Sequence, residues 1–283
     1  FSNMGRRTTL AMKHYYINLA GRTDRKQNMI DLFAKLDIKN YERIEAVDGN
    51  LVDYEKVLAN GMKVCRNWLD PIEDRPLTKG EVGCILSHIV AWSKISQSGL
   101  PGVILEDDLY HNSNTYNIQQ ITERLDDFDL VYLSKYNMDE NSKGFDEVFE
   151  IPGYCYWTSG YAVSVKGAQM LLNSVGIQNL IPADEYLPMM LGTSPLLDKY
   201  PQFKKLTKLK GLAYKENVFQ QRSRNTAIGK TDTENLNSFK EWKNFNLLTV
   251  ATESAKAEQL INSCKNNDLK LEMLGVGESW QGG

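Results

Sequence analysis

The chain has only three histidines and four cysteines in 283 residues, and none of Cys65, Cys84, Cys155 and Cys264 stands in a C-x-x-C pair. That scatter excludes a zinc ribbon or a disulfide framework and leaves the thiols as small apolar residues. An excess of one charge is also missing. The 33 basic and 36 acidic residues leave a net charge of -3, so no global basic field points to nucleic acid or to an anionic membrane. No run of about eighteen apolar residues is present to span a bilayer. The opening Phe1 to Arg7 lacks the apolar core of a signal peptide. A trimmed secretory chain would read the same, so the ER lumen and the cytoplasm both fit. Neither an internal repeat nor a low-complexity tract occurs, which excludes solenoids and fibrous arrays.

What is present is the composition of a globular protein, 42% apolar and 24% charged, with enough length for one substantial core and an appendage. Tyr15 to Leu19 reads as a strand. Gly21 to Arg25 forms a polar turn, and Met29, Ile30, Phe33 and Leu36 mark one face of a helix. A second strand fits Tyr41 to Val47, ending in the turn pair Asp48 and Gly49. From Gly80 to Ser96, Val82, Ile85, Leu86, Ile89 and Trp92 keep a helical period that stops at Gly99, Pro101 and Gly102. The apolar run Val103, Ile104 and Leu105 then leads into Glu106, Asp107 and Asp108. This is the pattern of an interior parallel strand whose C-terminal end opens onto a site. Further strands fit Leu130 to Ser134 and Tyr161 to Val165, the latter followed by a short helix carrying Met170, Leu171 and Leu172.

The fold class is therefore α/β. The long connections over 52–76, 135–152 and 194–212 are expected to carry substrate contacts. After Asn225 a polar stretch precedes a strand at 247–252, a helix at 253–265 and a strand at 269–274, which together make one βαβ unit.

Three adjacent carboxylates suit a divalent cation that offsets the charge of a diphosphate leaving group. On an extended segment alternate residues project the same way, so Glu106 and Asp108 are expected to share the cation and Asp107 to face elsewhere. An isolated acidic triplet also fits a solvated strand end, and its context has to decide. Asn18 and Leu19 end a strand just before Arg22 and Arg25, two guanidinium groups suited to phosphate or to carboxylate partners. His88, in mid-helix, reads as a hydrogen-bonded structural residue rather than a ligand. Cys84 reads as packing.

Taken in order, INLAGRTDR at 17–25, EAVDG at 45–49, LTKGEVGCILSH at 77–88, VILEDD at 103–108, SGYAVSVKGAQMLL at 159–172 and ADEYL at 183–187 resemble glycosyltransferase family 25. That family includes bacterial lipooligosaccharide galactosyltransferases and procollagen galactosyltransferases. The resemblance implies a GT-A fold, Rossmann-like in its nucleotide-sugar binding, over residues 12–240, with 1–11 as an N-terminal extension. It implies a UDP-sugar donor, UDP-galactose in particular, and Mn2+ held by Glu106 and Asp108. The nucleotide side would be lined by Asn18, Leu19, Arg22, Arg25, Ala46, Asp48, Ser87, His88 and Asp107. Asp184 would take the proton of the acceptor hydroxyl, with Glu185 as the alternative base.

Residues 247–280 resemble the opening of the glycosyltransferase domain of multifunctional lysyl hydroxylases, so 241–283 is expected to begin a second domain. The implied activity is inverting transfer of galactose to hydroxylysine of a collagen-like chain. The alternatives are a saccharide acceptor and a collagen-binding module without turnover. The open strand edge of the tail would allow a homodimer.

Overall fold

The computed structural model describes residues 12–223 and Thr226, apart from 60, 66, 113–115 and 175–177. The expected N-terminal extension and the 241–283 βαβ unit lie outside the described residues.

The first strand, β1 (Lys13–Asn18), turns at Leu19 to Arg22 into α1 (Thr23–Lys35), whose inner face buries Met29, Leu32 and Phe33. Next comes β2 (Tyr41–Glu45), parallel to β1, and then the short α2 (Tyr54–Ala59). Among the described residues the longest helix is α3 (Lys79–Ser98). Its start is a capping box: the Thr78 side chain accepts from the Glu81 amide, while the Glu81 carboxylate accepts from the Thr78 amide. Gly99, at φ 67, closes its C-terminus in the left-handed conformation.

Beyond α3, β3 (Gly102–Glu106) and β4 (Leu109–His111) flank the acidic turn. They are followed by α4 (Ile118–Arg124) and β5 (Leu130–Tyr132). The excursion after β5 folds into the short strands β6 (Tyr136–Asn137), β7 (Lys143–Gly144), β8 (Phe149–Ile151) and β9 (Cys155–Tyr156). The chain re-enters the main sheet as β10 (Gly160–Val163) and continues through α5 (Val165–Leu172), α6 (Ala183–Leu191) and α7 (Pro201–Lys204). It closes with β11 (Gly211–Tyr214) and β12 (Phe219–Gln221).

Eight strands form one mixed sheet in the order β2-β1-β3-β10-β5-β11-β8-β7. Successive side chains of β3 serve opposite faces. Ile104 joins the cluster that includes Leu86 and Trp92 of α3 and Leu171 of α5, whereas Val103 and Leu105 join Met29 and Phe33 of α1 and Ile121 of α4. Helices thus cover both faces, giving the α/β, GT-A-like architecture that the motifs imply. The purely parallel environment expected for the strand before the acidic triplet holds on one side only. β3 runs parallel to β1 but antiparallel to β10. The strand expected to reach Val165 ends at Val163, because the Ser164 side chain accepts from the Gly167 amide and starts α5. Among the described residues, no helix is long and apolar enough to cross a membrane.

One close approach shapes the site. A Cβ on Gly49 would lie 1.7 Å from the Lys79 carbonyl oxygen, and one on Gly83 would lie 2.4 Å from that of Val47. The Val47 to Gly49 loop therefore lies directly on the first turns of α3, with no side chain between them. Ser87 fastens it by donating to the Gly83 carbonyl and accepting from the Val47 amide.

Candidate active site

At the C-terminal ends of β1 and β3 lies a cleft of about 310 Å3. Leu19, Arg25, Ala46, Asp48, Ser87, His88, Glu106, Asp107 and Asp108 all line it, joined by Cys84 and Gln221. Asn18 and Arg22 are not among its lining residues. Asn18 is buried beneath the cleft, where its amide donates to Asp107 Oδ2 at 2.7 Å and its Oδ1 accepts from Arg43 at 2.9 Å. Arg22 pairs in a fork with Asp24, two residues along, at 3.0 Å through each of two nitrogens.

The acidic triplet differs in geometry from its sequence reading. Extended structure stops at Glu106, and Asp107 and Asp108 form a turn before β4, so the alternation of a strand no longer sets their directions. Asp107 does not face elsewhere. Arg25 reaches Asp107 Oδ1 at 2.8 Å and Asp108 Oδ2 at 3.5 Å, clasping both aspartates. Gln221 of β12 donates to Asp108 Oδ2 at 3.0 Å, and Asp108 Oδ1 is buried with no hydrogen-bond partner. Asn28 of α1 holds the turn from below, donating to the carbonyls of Asp107 and Leu109 while accepting from Arg222.

Glu106 sits on the other side of the turn. Its Oε1 accepts from Thr158 Oγ1 at 2.9 Å and lies 3.3 Å from His88 Nε2. A buried chain of donors fixes the histidine. Trp92 Nε1, which can only donate, reaches the Tyr161 hydroxyl at 2.7 Å, and that hydroxyl lies 2.9 Å from His88 Nδ1. If the tyrosine hydrogen goes to Nδ1, the imidazole proton stands on Nε2 and points at Glu106. Both ring nitrogens therefore have partners, in keeping with a structural His88. Cys84, His88 and Glu106 nevertheless bring one ligand atom each to within 4.8 Å of one another. Among the described residues this mixed sulfur, nitrogen and oxygen set is the one group of three such donors that comes this close; Glu106, Asp107 and Asp108 do not form a second.

Burial, and then the charge of Glu106, push Asp108 up to about 7. Burial also raises Asp107 against the pull of Arg25. It works in the same direction on Glu106, but the hydrogen bonds from His88 and Thr158 hold that group below its ordinary value. Three carboxylates with one neighbouring guanidinium and one unpartnered oxygen form a cation-deficient cluster. Hard oxygen donors of this kind are the ligands that a divalent cation takes, and within the turn Asp108 Oδ1 is the buried one left without a partner.

Asp184 and Glu185 are not among the cleft-lining residues and open α6 beside it. Asp184 Oδ1 accepts from the Thr158 amide at 2.7 Å, so Thr158 bridges Asp184 to Glu106. Burial, followed by the charge of Glu106, raises Asp184. Glu185 turns the other way, its Oε1 accepting from the Tyr154 hydroxyl at 2.7 Å and from that of Tyr156. Burial pushes it up to about 7. Thr158, Gln221 and Arg222 escaped the sequence reading. Thr158 lies just before the SGYAVS motif, whereas nothing local marks Gln221 as the partner of an aspartate 113 positions away.

Residues 11–187 match the family described as glycosyltransferase family 25 (LPS biosynthesis protein). The chain belongs to glycosyltransferase family 25. Family members in the curated proteins include procollagen galactosyltransferase 1 of Danio rerio, 34% identical over 201 residues, which are 66% of this chain and 33% of that protein. Procollagen galactosyltransferase 1-B of Xenopus laevis is 35% identical over 67% of this chain and 32% of its own length. "Probable inactive glycosyltransferase 25 family member 3" of Bos taurus is 33% identical over 64% of this chain and 32% of its length. The chain spans about a third of the length of these relatives. Family 25 thus includes a member named as probable inactive, so turnover in this chain rests on its acidic turn.

Proposed function

We propose that the chain is a metal-dependent, inverting galactosyltransferase that moves galactose from UDP-galactose to hydroxylysine of a collagen-like chain. The observation that carries the reading is the acidic turn. Glu106 and Asp108 both line one cleft and Asp108 keeps a buried, unpartnered oxygen, while Arg25 steadies Asp107 and Asp108. The relatives named procollagen galactosyltransferase support the acceptor.

Glu106 and Asp108 would hold the cation, which when bound offsets the negative charge that grows on the departing diphosphate. Leu19, Ala46 and Asp48 offer the wall for the nucleotide, and the apposed α3 and Val47 to Gly49 backbones fix that wall's shape. The acceptor oxygen attacks the anomeric carbon from the face opposite UDP, the bond to the phosphate oxygen breaks with its electron pair leaving on UDP, and Asp184 takes the hydroxyl proton. The raised proton affinity of Asp184 and its anchored Oδ1 suit that role. Glu185, with both tyrosines on Oε1 and Oε2 buried without a partner, faces away from Thr158 and braces α6.

A hydroxylysine-containing peptide and an oligosaccharide, each incubated with Mn2+ and a panel of UDP-sugars, test the reading by mass spectrometry. One hexose added to the peptide from UDP-galactose, and lost on chelation, is the expected result. A hexose added only to the oligosaccharide, or UDP release that acceptor does not increase, would overturn it.

A further inference from the structure

We propose that Trp157 and Tyr136 form an aromatic wall that grips the acceptor polypeptide beside the modified residue. The proposal rests on the peptide-acceptor reading above and starts from a backbone outlier. Trp157 has φ 79, a left-handed conformation that a bulky L residue keeps only where its surroundings over-determine it. Those surroundings are both of its neighbours. Tyr156, in β9, pairs with Tyr136 of β6 and places its hydroxyl on Glu185. Thr158 donates its amide to Asp184 at 2.7 Å and its hydroxyl to Glu106 at 2.9 Å. The single residue between these two clamps has to turn the chain.

Glycine would make that turn without strain. Trp157 occupies it instead, and its ring does not enter the core. It lies against Tyr136 with centroids 5.5 Å apart and planes at 39°, and Tyr136 itself is 55% exposed. Two amphipathic rings, partly solvated, are thus held one residue from the group that anchors the candidate base. The nucleotide wall of Leu19, Ala46 and Asp48 belongs to the β1 and β2 side of the sheet, while Trp157 follows β9 and precedes β10. An acceptor hydroxyl within hydrogen-bond reach of Asp184 brings the residues flanking it past Thr158 and its neighbours. An extended, proline-rich chain has no internal hydrogen bonds and offers pyrrolidine faces, and aromatic surfaces recognise such chains. A wall of two rings in contact suits a chain that continues beyond the reacting group, which a free amino acid does not.

The test compares KM for a hydroxylysine peptide of Gly-X-Y sequence with KM for free hydroxylysine, which lacks the flanking chain. Trp157→Gly keeps the backbone turn and removes the ring. It is expected to raise the peptide KM about tenfold, to leave the free hydroxylysine KM unchanged, and to melt no lower than Trp157→Ala, which retains the left-handed strain. Tyr136→Ala, at an exposed position, is expected to raise the peptide KM about threefold. A peptide KM unmoved in both variants, or equal changes for peptide and free hydroxylysine, would overturn the wall. Wild-type transfer to an oligosaccharide and to neither hydroxylysine acceptor would instead overturn the peptide-acceptor reading on which the wall rests.

Discussion

The two sides of Glu106 compensate buried carboxylates by different means. On the β1 side, Asp107 and Asp108 are held by the guanidinium of Arg25 and by the amides of Asn18 and Gln221. On the β10 side, Asp184 and Glu185 have only uncharged donors, a backbone amide and two tyrosine hydroxyls. A guanidinium favours the ionised carboxylate, whereas hydroxyls in a low-dielectric setting leave it prone to protonation. The first side suits a polyanionic donor with its cation, and the second suits a residue that must take up a proton. Burial nevertheless raises both aspartates of the first side, Asp108 to about 7, and Asp108 keeps one buried oxygen without a partner, as Glu185 does on the second side.

Substitutions can break this contrast one side at a time, starting with the largest effect. Replacing Glu106 and Asp108 together by alanine is expected to lower the transfer rate by about 10³-fold or more, the several kcal/mol that a cation supplies. Initial rates and a melting curve show whether activity falls while the fold stays. Arg25→Met removes the charge that Asp107 faces at 2.8 Å, with an expected stability loss of about 3–5 kcal/mol in denaturant titration. A loss below about 1 kcal/mol would show that Asn18 and Gln221 suffice. Asp184→Asn is expected to lower kcat by about 10²- to 10⁴-fold with UDP-galactose affinity retained. A change confined to KM would remove Asp184 from proton transfer.

Glu185 gives the β10 side a pH signature. Its carboxyl ionises near 4.5 when unconstrained and at about 7 in the folded chain, so the folded state binds the proton more tightly. Stability from this group is present in full below about 4.5 and is lost as pH rises through 7, a fall of about 3 kcal/mol. Glu185→Gln keeps an oxygen for both tyrosines and is expected to flatten that part of the stability curve. An unchanged curve would place the pH dependence elsewhere. The smallest effect is expected from Tyr161→Phe. Without the hydroxyl that fixes His88, Mn2+ affinity should fall by about tenfold, and an unchanged affinity would show that Glu106 needs no such support.

The motifs made the β1 side legible because its signals are local. Apolar runs ending in polar turns located β1, β2 and β3, and the period of α3 was visible in Val82, Ile85, Leu86 and Ile89. The β10 side was harder to read. Strands of two residues, such as β6 and β9, are too short for any periodicity. The antiparallel sense of β10 leaves no trace in its composition. Thr78 and Glu81 belong to a family motif, yet their observed contacts cap α3. The triplet's directions were misread because strand alternation was carried past Glu106 into a turn. Gln221 and Arg222 reach the turn only through the pairing of β12 with β4, a long-range contact that no window along the chain contains.

The central claim, that Glu106 and Asp108 form a cation site for a nucleotide diphosphate, is tested most directly by calorimetric titration of UDP with and without Mn2+. The account predicts that Mn2+ tightens UDP binding in the wild type and that a Glu106→Gln, Asp108→Asn variant of unchanged melting temperature loses that increment. An increment that survives in the variant would contradict it.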